Sequence, residues 1–436
     1  MTPAPDRLAI TGIGVVSPYG VGRERFWDGI RHGHSATRAI EAFDASSFAC
    51  RVAAPLPRIS LDDAPAVDGD DADTLRVASI RAGTALPLSD RADPRRYSRA
   101  ALAAVIAARE AWADAGLQLG EPGAGVIVGT GSGGIDIGEE QYREFFADGW
   151  KRITPYAIPV SICGMVSSEV SIALRLHGIS HVLSCGCTSS TDAIGYAMQT
   201  LRAGDADVVL TGGADACVTP GMIFGFSRMK VVATRFNDRP AEASRPFDRA
   251  RDGFVLGEGA WMLTLERASR ARARQARIYA YIDGYGSTCD AYHRVQMDPD
   301  GHQIVEAMSL AIARAGIRRE AIGYVNFHGT STPLNDEVEA RCVRRVFGPH
   351  ADRLAGSSTK SMIGHPQGAS GAAGVVAAVL GLARGYLHPT ANLTNPDPAC
   401  DLDCLPIVGR AASVEAALCN CLGFGSKNSA LVLGAA

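Results

Sequence analysis

Short apolar runs that end at glycine alternate with longer helical patterns along most of the chain. Strands are predicted at Leu8 to Val16, Ala124 to Val128 and Val208 to Leu210, where apolar residues follow one another without the alternation of a half-exposed strand. Ser98 to Ala115 is rich in alanine and typical of a helix. Strands buried on both faces that alternate with helices predict an α/β protein.

The pattern of the first half of the chain returns in the second half. Ala115-Gly116 ends a helix and leads through a strand to Val128-Gly-Thr-Gly-Ser132, and Ala315-Gly316 leads in the same way to His328-Gly-Thr-Ser-Thr332. The glycine and the first residue of the loop are twelve positions apart in both cases. We therefore predict duplicated βα halves, residues 1–275 and 276–436. Equivalent loops would lie at the carboxyl ends of the strands, so a functional site should draw residues from both halves.

Composition narrows the class of protein. The 43 Lys and Arg residues nearly balance the 46 Asp and Glu residues, and the net charge of -3 argues against a dedicated nucleic-acid binder. Neither a signal peptide nor an apolar run of membrane-spanning length stands out, so we expect a cytoplasmic protein without a membrane partner. Residues 56–94, rich in Asp, Ala and Pro, have no clear period and are predicted to form a surface insertion or lid.

A glycine-rich segment, Gly129 to Gly134, formally matches the dinucleotide fingerprint GxGxxG. It lies far from the first strand, and no Asp or Glu stands at the end of a clear second strand about 20 residues further on, where it would hold a ribose. A plain glycine turn is the better interpretation, and no nicotinamide or flavin cofactor is expected.

One cysteine stands where a strand is predicted to give way to a helix. Cys187 immediately precedes a helical pattern that begins at Ser189, and a thiol at a helix N-terminus is expected to have a lowered pKa. Cys185 should still point from the strand. A Cys-Gly-Cys pair could bind a metal, but no second Cys or His pair stands at suitable spacing, so no metal is expected. Taken alone, Cys187 would fit a buried structural thiol better than a nucleophile.

Two histidines in the second half change that balance. His328 ends the predicted strand Tyr324 to Phe327, and His365 lies in a Gly/Ser/Thr-rich loop before a helix of small residues. A cysteine at a helix start and two histidines in such loops form a nucleophile-and-base constellation. The loops also supply backbone N–H groups that could stabilise an oxyanion.

With Lys360, these three residues resemble the active site of the elongating β-ketoacyl-acyl carrier protein synthases. The resemblance covers nearly the whole chain and implies the thiolase fold, in which duplicated βα halves form a layered αβαβα sandwich. It is carried by Leu8 to Gly20, Cys187 to Gly204, Gly212 to Ala216, Ser244 to Gly259, Asp290 to His293, the two histidine motifs, Pro389 to Asn392 and Gly423 to Gly425.

Within the family, different segments resemble different branches. Gly186 to Ser189 and Pro396 to Asp403 are similar to the ketosynthase subunit of bacterial type II polyketide systems, whereas His328 to Asp336 is more similar to the fatty-acid enzymes. This mixture favours a specialised pathway such as polyene or other reduced polyketide synthesis.

The resemblance implies a decarboxylative Claisen condensation and a role for each matching residue. Cys187 would accept the acyl group, and neutral His328 and His365 would donate N–H bonds to the malonyl thioester carbonyl. Lys360 is expected to be buried and ion-paired with Glu339. The remaining residues implied by the resemblance are Asp336 as a second supporting acid, Phe424 as oxyanion donor and gate, and Thr330 and Thr332 as contacts of the pantetheine arm. No cofactor is implied, since phosphopantetheine arrives on the carrier protein.

An acidic acyl carrier protein requires a locally positive docking surface despite the net charge of -3. The predicted docking residues match family positions near the tunnel that admits the pantetheine arm. They are Arg95, Arg96, Arg99 and Lys230. One departure concerns the last glycine-rich loop, where Ser426-Lys427 replaces the usual glycine and threonine. We expect this loop to move or open differently.

Two alternative functions remain open. A thiolase acting on coenzyme A esters would place a second cysteine in a glycine-rich motif, whereas Cys419 and Cys421 precede Gly423 and are expected to be inert. A non-catalytic chain-length subunit would lack the nucleophile. The chain could form a homodimer or a heterodimer with such a chain-length-factor-like subunit, and neither the pathway nor the acyl chain follows from the sequence.

Overall fold

The computed structural model describes residues 6–60, 74–76 and 97–436, with only the backbone described for 58–60 and 74–76. Most of the predicted insertion at 56–94 therefore lies outside the described residues. Two short strands within it, Arg58–Ser60 and Thr74–Arg76, pair in parallel. In the described part of the chain, no helix combines the length and the apolar character needed to cross a bilayer.

The strands are β1 Leu8–Ser17, β2 Gly20–Val21, β3 Arg38–Ala39, β4 Val52–Ala54, β5 Arg58–Ser60, β6 Thr74–Arg76, β7 Ala124–Gly129, β8 Ser180–Leu183, β9 Val208–Asp215, β10 Leu256–Gly257, β11 Gly259–Arg267, β12 Ala280–Cys289, β13 Ile322–Asn326, β14 Ala355–Ser357, β15 Tyr386–Leu387, β16 Arg410–Ala411, β17 Ala416–Gly423 and β18 Lys427–Ala435. The helices are α1 Arg23–Arg31, α2 Arg99–Asp114, α3 Ile135–Asp148, α4 Ala157–Ser161, α5 Met165–Leu174, α6 Ser189–Ala203, α7 Pro220–Arg228, α8 Ala268–Ala273, α9 His302–Ala315, α10 Pro333–Phe347, α11 Lys360–Ile363 and α12 Ser370–Arg384. The predicted strands and the alanine-rich helix are confirmed within a few residues.

The main sheet repeats one strand order in both halves of the chain. It runs β8-β7-β9-β11-β1 through the first half and, in mirror order, β12-β18-β17-β13-β14 through the second. Within each half, these five strands can be counted in chain order. The first then pairs antiparallel with the fifth, and the second lies between the third and the fourth and runs parallel to both. The halves join where Leu8 to Ile10 of β1 pairs with Ala280 to Ile282 of β12.

Equivalent glycines show why the halves fold alike. A Cβ on Gly12 of β1 would lie 2.0 Å from the carbonyl oxygen of Ala111 in α2, and a Cβ on Gly284 of β12 would lie 2.0 Å from that of Ala311 in α9. Each glycine therefore lets an outer helix lie directly against the first strand of its half. The register of both strands also shifts at this point. The predicted duplication is confirmed, and the predicted seam near residue 275 falls between α8 and β12.

Five layers result from this packing. Helices α6 and α12 lie between the strands of the two halves and share one core with them. Gly371 permits the close approach of the two helices, because a Cβ there would lie 1.9 Å from Oγ1 of Thr191. A second core joins α2 and α5 to the first half, and a third joins α9 and α10 to the second. The predicted αβαβα sandwich is therefore the observed architecture.

Candidate active site

Cys187 lies in the connection from β8 to α6, directly before the helix begins at Ser189. Gly186 has a φ of +73°, a conformation that glycine adopts without strain, and it turns the chain into the helix. The hydroxyl of Ser189 donates to the Gly186 carbonyl at 2.6 Å and accepts from the Cys185 N–H at 2.8 Å. The predicted strand-to-helix position of Cys187 is confirmed, with the side chain buried.

The predicted lowering of the Cys187 pKa is wrong for this arrangement. Burial is the largest effect and raises the pKa to about 12, and the neighbouring Cys421 raises it further. The backbone N–H of Phe424 and the charge of Lys360 act in the opposite direction and lower the pKa of Cys187. Desolvation of the thiolate therefore outweighs the Phe424 N–H and Lys360, and the Cys187 thiol is protonated at neutral pH.

The fold brings both predicted histidines to this cysteine. Ligand atoms of Cys187, His328 and His365 all lie within 4.8 Å of one another. The imidazole centroids are 5.4 Å apart with planes at 87°, and Phe254 packs edge-on against His365 at 5.3 Å. Burial, followed by the charge of Lys360, holds the pKa of both histidines well below its usual range. Both rings are therefore neutral at physiological pH, as the resemblance implied.

These three side chains are also the one cluster of at least three His, Cys, Asp or Glu ligand atoms, in the described ranges, that could hold a metal ion. The chemistry that the resemblance implies needs these atoms free of a metal. The expectation of a metal-free site stays a prediction.

Two acids of α10 shape the loop that carries His328. The carboxylate of Glu339 accepts the backbone N–H groups of His328 and Gly329, both at 2.7 Å. Asp336 accepts the N–H of Thr330 at 3.0 Å. Burial raises the pKa of Glu339 to about 7. The two predicted supporting acids thus contact backbone, and they fix the loop by accepting its N–H groups.

Lys360 is buried as predicted, but its direct ion pair with Glu339 is not formed. Within residues 97–436, no carboxylate oxygen lies within 4.0 Å of its ammonium group, since the Glu339 oxygens are occupied by backbone N–H groups and by Asn420 at 2.8 Å. Burial is the largest effect on Lys360 and lowers its pKa overall. Cys421, Glu339 and Cys187 raise this pKa, and the effect of Cys421 is the largest of the three. The charge of Lys360 therefore acts on the thiols and histidines over a distance.

A tunnel of about 260 Å³ leads from the surface to Cys187. Thr330 and Thr332 line it, and their hydroxyl oxygens are 2.9 Å apart. Both predicted pantetheine contacts therefore face the space through which a substrate would enter.

The loop Gly423 to Gly425 closes one side of the tunnel. Phe424 lines the tunnel, and its ring centroid is 6.5 Å from that of Phe226. The residue that follows this loop, Ser426, has a φ of +62°. Its hydroxyl accepts the N–H groups of Tyr292 and His293 and donates to the His293 carbonyl at 2.9 Å. The serine that departs from the family pattern therefore fastens this loop to the segment beside it.

The predicted docking residues differ in where their side chains lie. Lys230 is exposed and lines the mouth of the tunnel. Arg99 does not fit a docking surface, because its guanidinium turns inward and pairs with the fully buried Glu258. Arg95 and Arg96 lie outside the described residues.

Sequence analysis missed one residue of the site. Cys421 is 1% exposed, and its sulfur lies 3.1 Å from the Cys187 carbonyl oxygen and 3.6 Å from Nδ1 of His328. Its place beside Cys187 and His328 was not predicted, and the expectation that this thiol is inert stays a prediction. Its position two residues before the Gly423 loop was the signal that could have placed it here.

Comparison with protein-family models gives two consecutive matches. Residues 6–271 match the beta-ketoacyl synthase N-terminal domain, and residues 279–394 match the beta-ketoacyl synthase C-terminal domain.

Individual proteins match over nearly the full length. The 3-oxoacyl-[acyl-carrier-protein] synthase 2 of Coxiella burnetii is 40% identical, with 98% of each chain covered. The oxytetracycline polyketide putative beta-ketoacyl synthase 1 of Streptomyces rimosus is 39% identical, with 98% of this chain and 96% of that protein covered. Among solved structures, the ishigamide ketosynthase/chain length factor superposes with a TM-score of 0.87 at 31% identity, over 99% of this chain and 100% of the other.

Proposed function

The chain belongs to the beta-ketoacyl synthase family, and from that premise we propose that it condenses an acyl group with a malonyl unit, both delivered as thioesters of acyl carrier protein. The family resemblance seen in the sequence is confirmed. The observation that carries the proposal is the meeting of Cys187, His328 and His365 at the inner end of a tunnel.

In the first half-reaction, the sulfur of Cys187 attacks the carbonyl carbon of an acyl thioester. A bond forms from Cys187 to the acyl carbon, and the bond to the pantetheine sulfur breaks. The thiol proton leaves Cys187 during the attack and ends on the departing pantetheine sulfur. The N–H of Phe424 lies close enough to the Cys187 sulfur to lower its pKa, so we assign it, together with the N–H of Cys187, as a donor to the oxyanion that forms there.

In the second half-reaction, malonyl thioester enters the tunnel and loses carbon dioxide. The electron pair of the broken bond forms an enolate, whose oxygen accepts N–H bonds from neutral His328 and His365. Its carbon then attacks the acyl carbonyl and expels the Cys187 sulfur as a thiolate, which takes up one proton from solvent. The neutrality of both rings matters here, since a cationic imidazole would pair with the malonyl carboxylate and favour its retention.

Neither alternative function fits the site as well. A non-catalytic chain-length subunit does not require a buried nucleophile beside two neutral histidines. A thiolase requires a second thiol that reaches the reacting carbon, whereas Cys421 is not among the residues that line the tunnel.

We also propose that the protein works as a dimer and accepts acyl carrier protein at the tunnel mouth beside Lys230. In the described sheet, β8 is an end strand that pairs only with β7 and is partly exposed. Exposed aromatic side chains include Phe146 on α3, at 80%, and Trp150 just after this helix, at 75%. An open strand edge and exposed apolar side chains each favour burial against a second subunit. That subunit is either a second copy of this chain or a chain-length-factor-like protein. The cytoplasmic location of the protein stays a prediction.

Intact-mass analysis after co-expression with acyl carrier proteins and a candidate chain-length subunit tests this function. We expect an acyl mass increase on the peptide that contains Cys187, absent from Cys187→Ala and unchanged in Cys185→Ala. Native mass would report the dimer composition in the same sample. The proposal fails if wild-type chain stays unmodified with carrier proteins that acylate a homologous synthase.

A further inference from the structure

A second thiol is buried against the nucleophile and one histidine. Cys421 lies near the end of β17, where the strand leads into the loop that carries Phe424. Its sulfur reaches the Cys187 carbonyl oxygen at 3.1 Å and Nδ1 of His328 at 3.6 Å. A thiol has one hydrogen, so it can donate to only one of these two acceptors at a time.

A neighbouring serine makes the Cys421 hydrogen available to the imidazole. The hydroxyl of Ser370, at the start of α12, donates to the same Cys187 carbonyl oxygen at 3.3 Å and lies 3.7 Å from the Cys421 sulfur. The carbonyl therefore keeps a hydrogen-bond donor when the Cys421 hydrogen turns to the imidazole.

The His328 ring has no other fixed partner. In the described part of the chain, Cys421 is the one side chain within hydrogen-bond distance of either ring nitrogen. Since Nδ1 faces Cys421, Nε2 is the nitrogen available to the tunnel that His328 lines. The hydrogen bond at one nitrogen of a neutral imidazole determines which nitrogen carries its hydrogen.

The protonation state of Cys421 is compatible with a donor role. Burial raises its pKa above the usual range, although Lys360 acts in the opposite direction. Cys421 therefore stays a protonated thiol at neutral pH and can donate.

We propose that Cys421 is a positioning residue that donates its hydrogen to Nδ1 of His328 and thereby keeps the ring hydrogen on Nε2, facing the substrate. The inference rests on the proposed role of His328 as a donor to the malonyl thioester. Cys421 contacts no substrate and acts through the imidazole.

Variants at this position should separate the two half-reactions. Cys421→Ala removes the donor, so the Nδ1–H form of His328 becomes populated and malonyl decarboxylation falls by about tenfold. Acylation of Cys187 should stay within about twofold of wild type, since it does not use the His328 hydrogen. Cys421→Ser keeps a donor and should restore decarboxylation.

Cys419→Ala is the matched control. Cys419 lies two residues earlier on the same strand, and its sulfur contacts the Gly374 carbonyl oxygen at 3.9 Å, away from either catalytic histidine. This variant should leave both half-reactions unchanged.

The tautomer itself can be measured in protein labelled with ¹⁵N-histidine, with His328 assigned by comparison with His328→Gln. Wild type should show a bare Nδ1 and a protonated Nε2, and this result needs no Cys421 variant to fold. A protonated Nδ1 in wild type overturns the inference, as does a Cys421→Ala enzyme with unchanged tautomer and decarboxylation. Failure of wild type to acylate would instead count against the proposed function, because the tautomer is read without turnover.

Discussion

The backbone N–H of His328 donates to Oε1 of Glu339 across 2.7 Å, so a buried acid holds a histidine of the proposed active site by its main chain. The second oxygen of Glu339 holds the next residue, Gly329, at the same distance. The direction of the imidazole is thus set partly by a residue eleven positions further along the chain.

Removing this acid should cost stability and activity together. Glu339→Ala leaves the N–H groups of His328 and Gly329 and the amide of Asn420 without their acceptor, and we expect a loss of about 3 kcal/mol in the free energy of unfolding, measured in urea. Glu337→Ala, on the exposed side of the same helix, is the control and should change little. Equal stability of the two variants would contradict the role given to Glu339.

Ser426 should control how firmly the Phe424 loop is held. Ser426→Ala removes the hydroxyl contacts to Tyr292 and His293 but keeps a side chain at a φ of +62°, whereas Ser426→Gly removes the contacts and relieves the backbone. Both variants should show faster amide hydrogen exchange at residues 290–294 and 423–426. The glycine variant should be the more stable of the two in thermal unfolding. Unchanged exchange in both would show that the serine does not fasten the loop.

A buried histidine that does not line the tunnel should make stability fall in acid. Burial lowers the pKa of His388 to about 4, and its ring lies 3.2 Å from the Tyr324 and Thr359 hydroxyls. The unfolded chain takes up this proton near pH 6.5 and the folded chain only near pH 4, so stability is present above pH 6.5 and is lost as pH falls towards 4.

Urea unfolding between pH 4.5 and 7.5 tests this sign. His328 and His365 contribute in the same direction, so the informative quantity is the difference between wild type and His388→Gln. We expect the wild-type curve to fall more steeply, by up to roughly 3 kcal/mol over the window. Parallel curves would contradict the assignment.

The duplicated glycines should be equally intolerant of a side chain. Gly12→Ala and Gly284→Ala each place a Cβ 2.0 Å from a helix carbonyl oxygen, so the outer helix must move. We expect each to lower the free energy of unfolding by about 1–3 kcal/mol. Gly164→Ala, where no atom lies within 4 Å of the added Cβ, is the control. Tolerance of either strand substitution would indicate that the helices do not pack closely there.

Much of the fold could be predicted because it depends on local pattern. The run from Leu8 predicts β1, and Ser98 accepts the Ala101 N–H at 3.2 Å at the predicted helix start. The duplication was visible since the same glycine-ended strands recur in both halves. Cys187, His328 and His365 could be found because each stands in a recognisable Gly/Ser/Thr-rich motif.

The predictions that failed concern partners distant in sequence. Arg99 pairs with Glu258, and the oxygens of Glu339 are taken by backbone groups instead of Lys360. The raised pKa of Cys187 depends on how completely the assembled halves exclude water. Cys421 was missed for the same reason, since its contact with His328 spans two strands that the sequence alone does not align.

Because Cys187 and the two histidines come from different halves, the proposed active site is completed late in synthesis. A ribosome that has made the first 275 residues has already released the segment around Cys187, whereas His328, His365 and the Phe424 loop are still to be translated. The thiol would then stand without its oxyanion donor and without the second half that buries it. A chain interrupted at that stage could be chemically exposed at this cysteine, yet it could not condense anything.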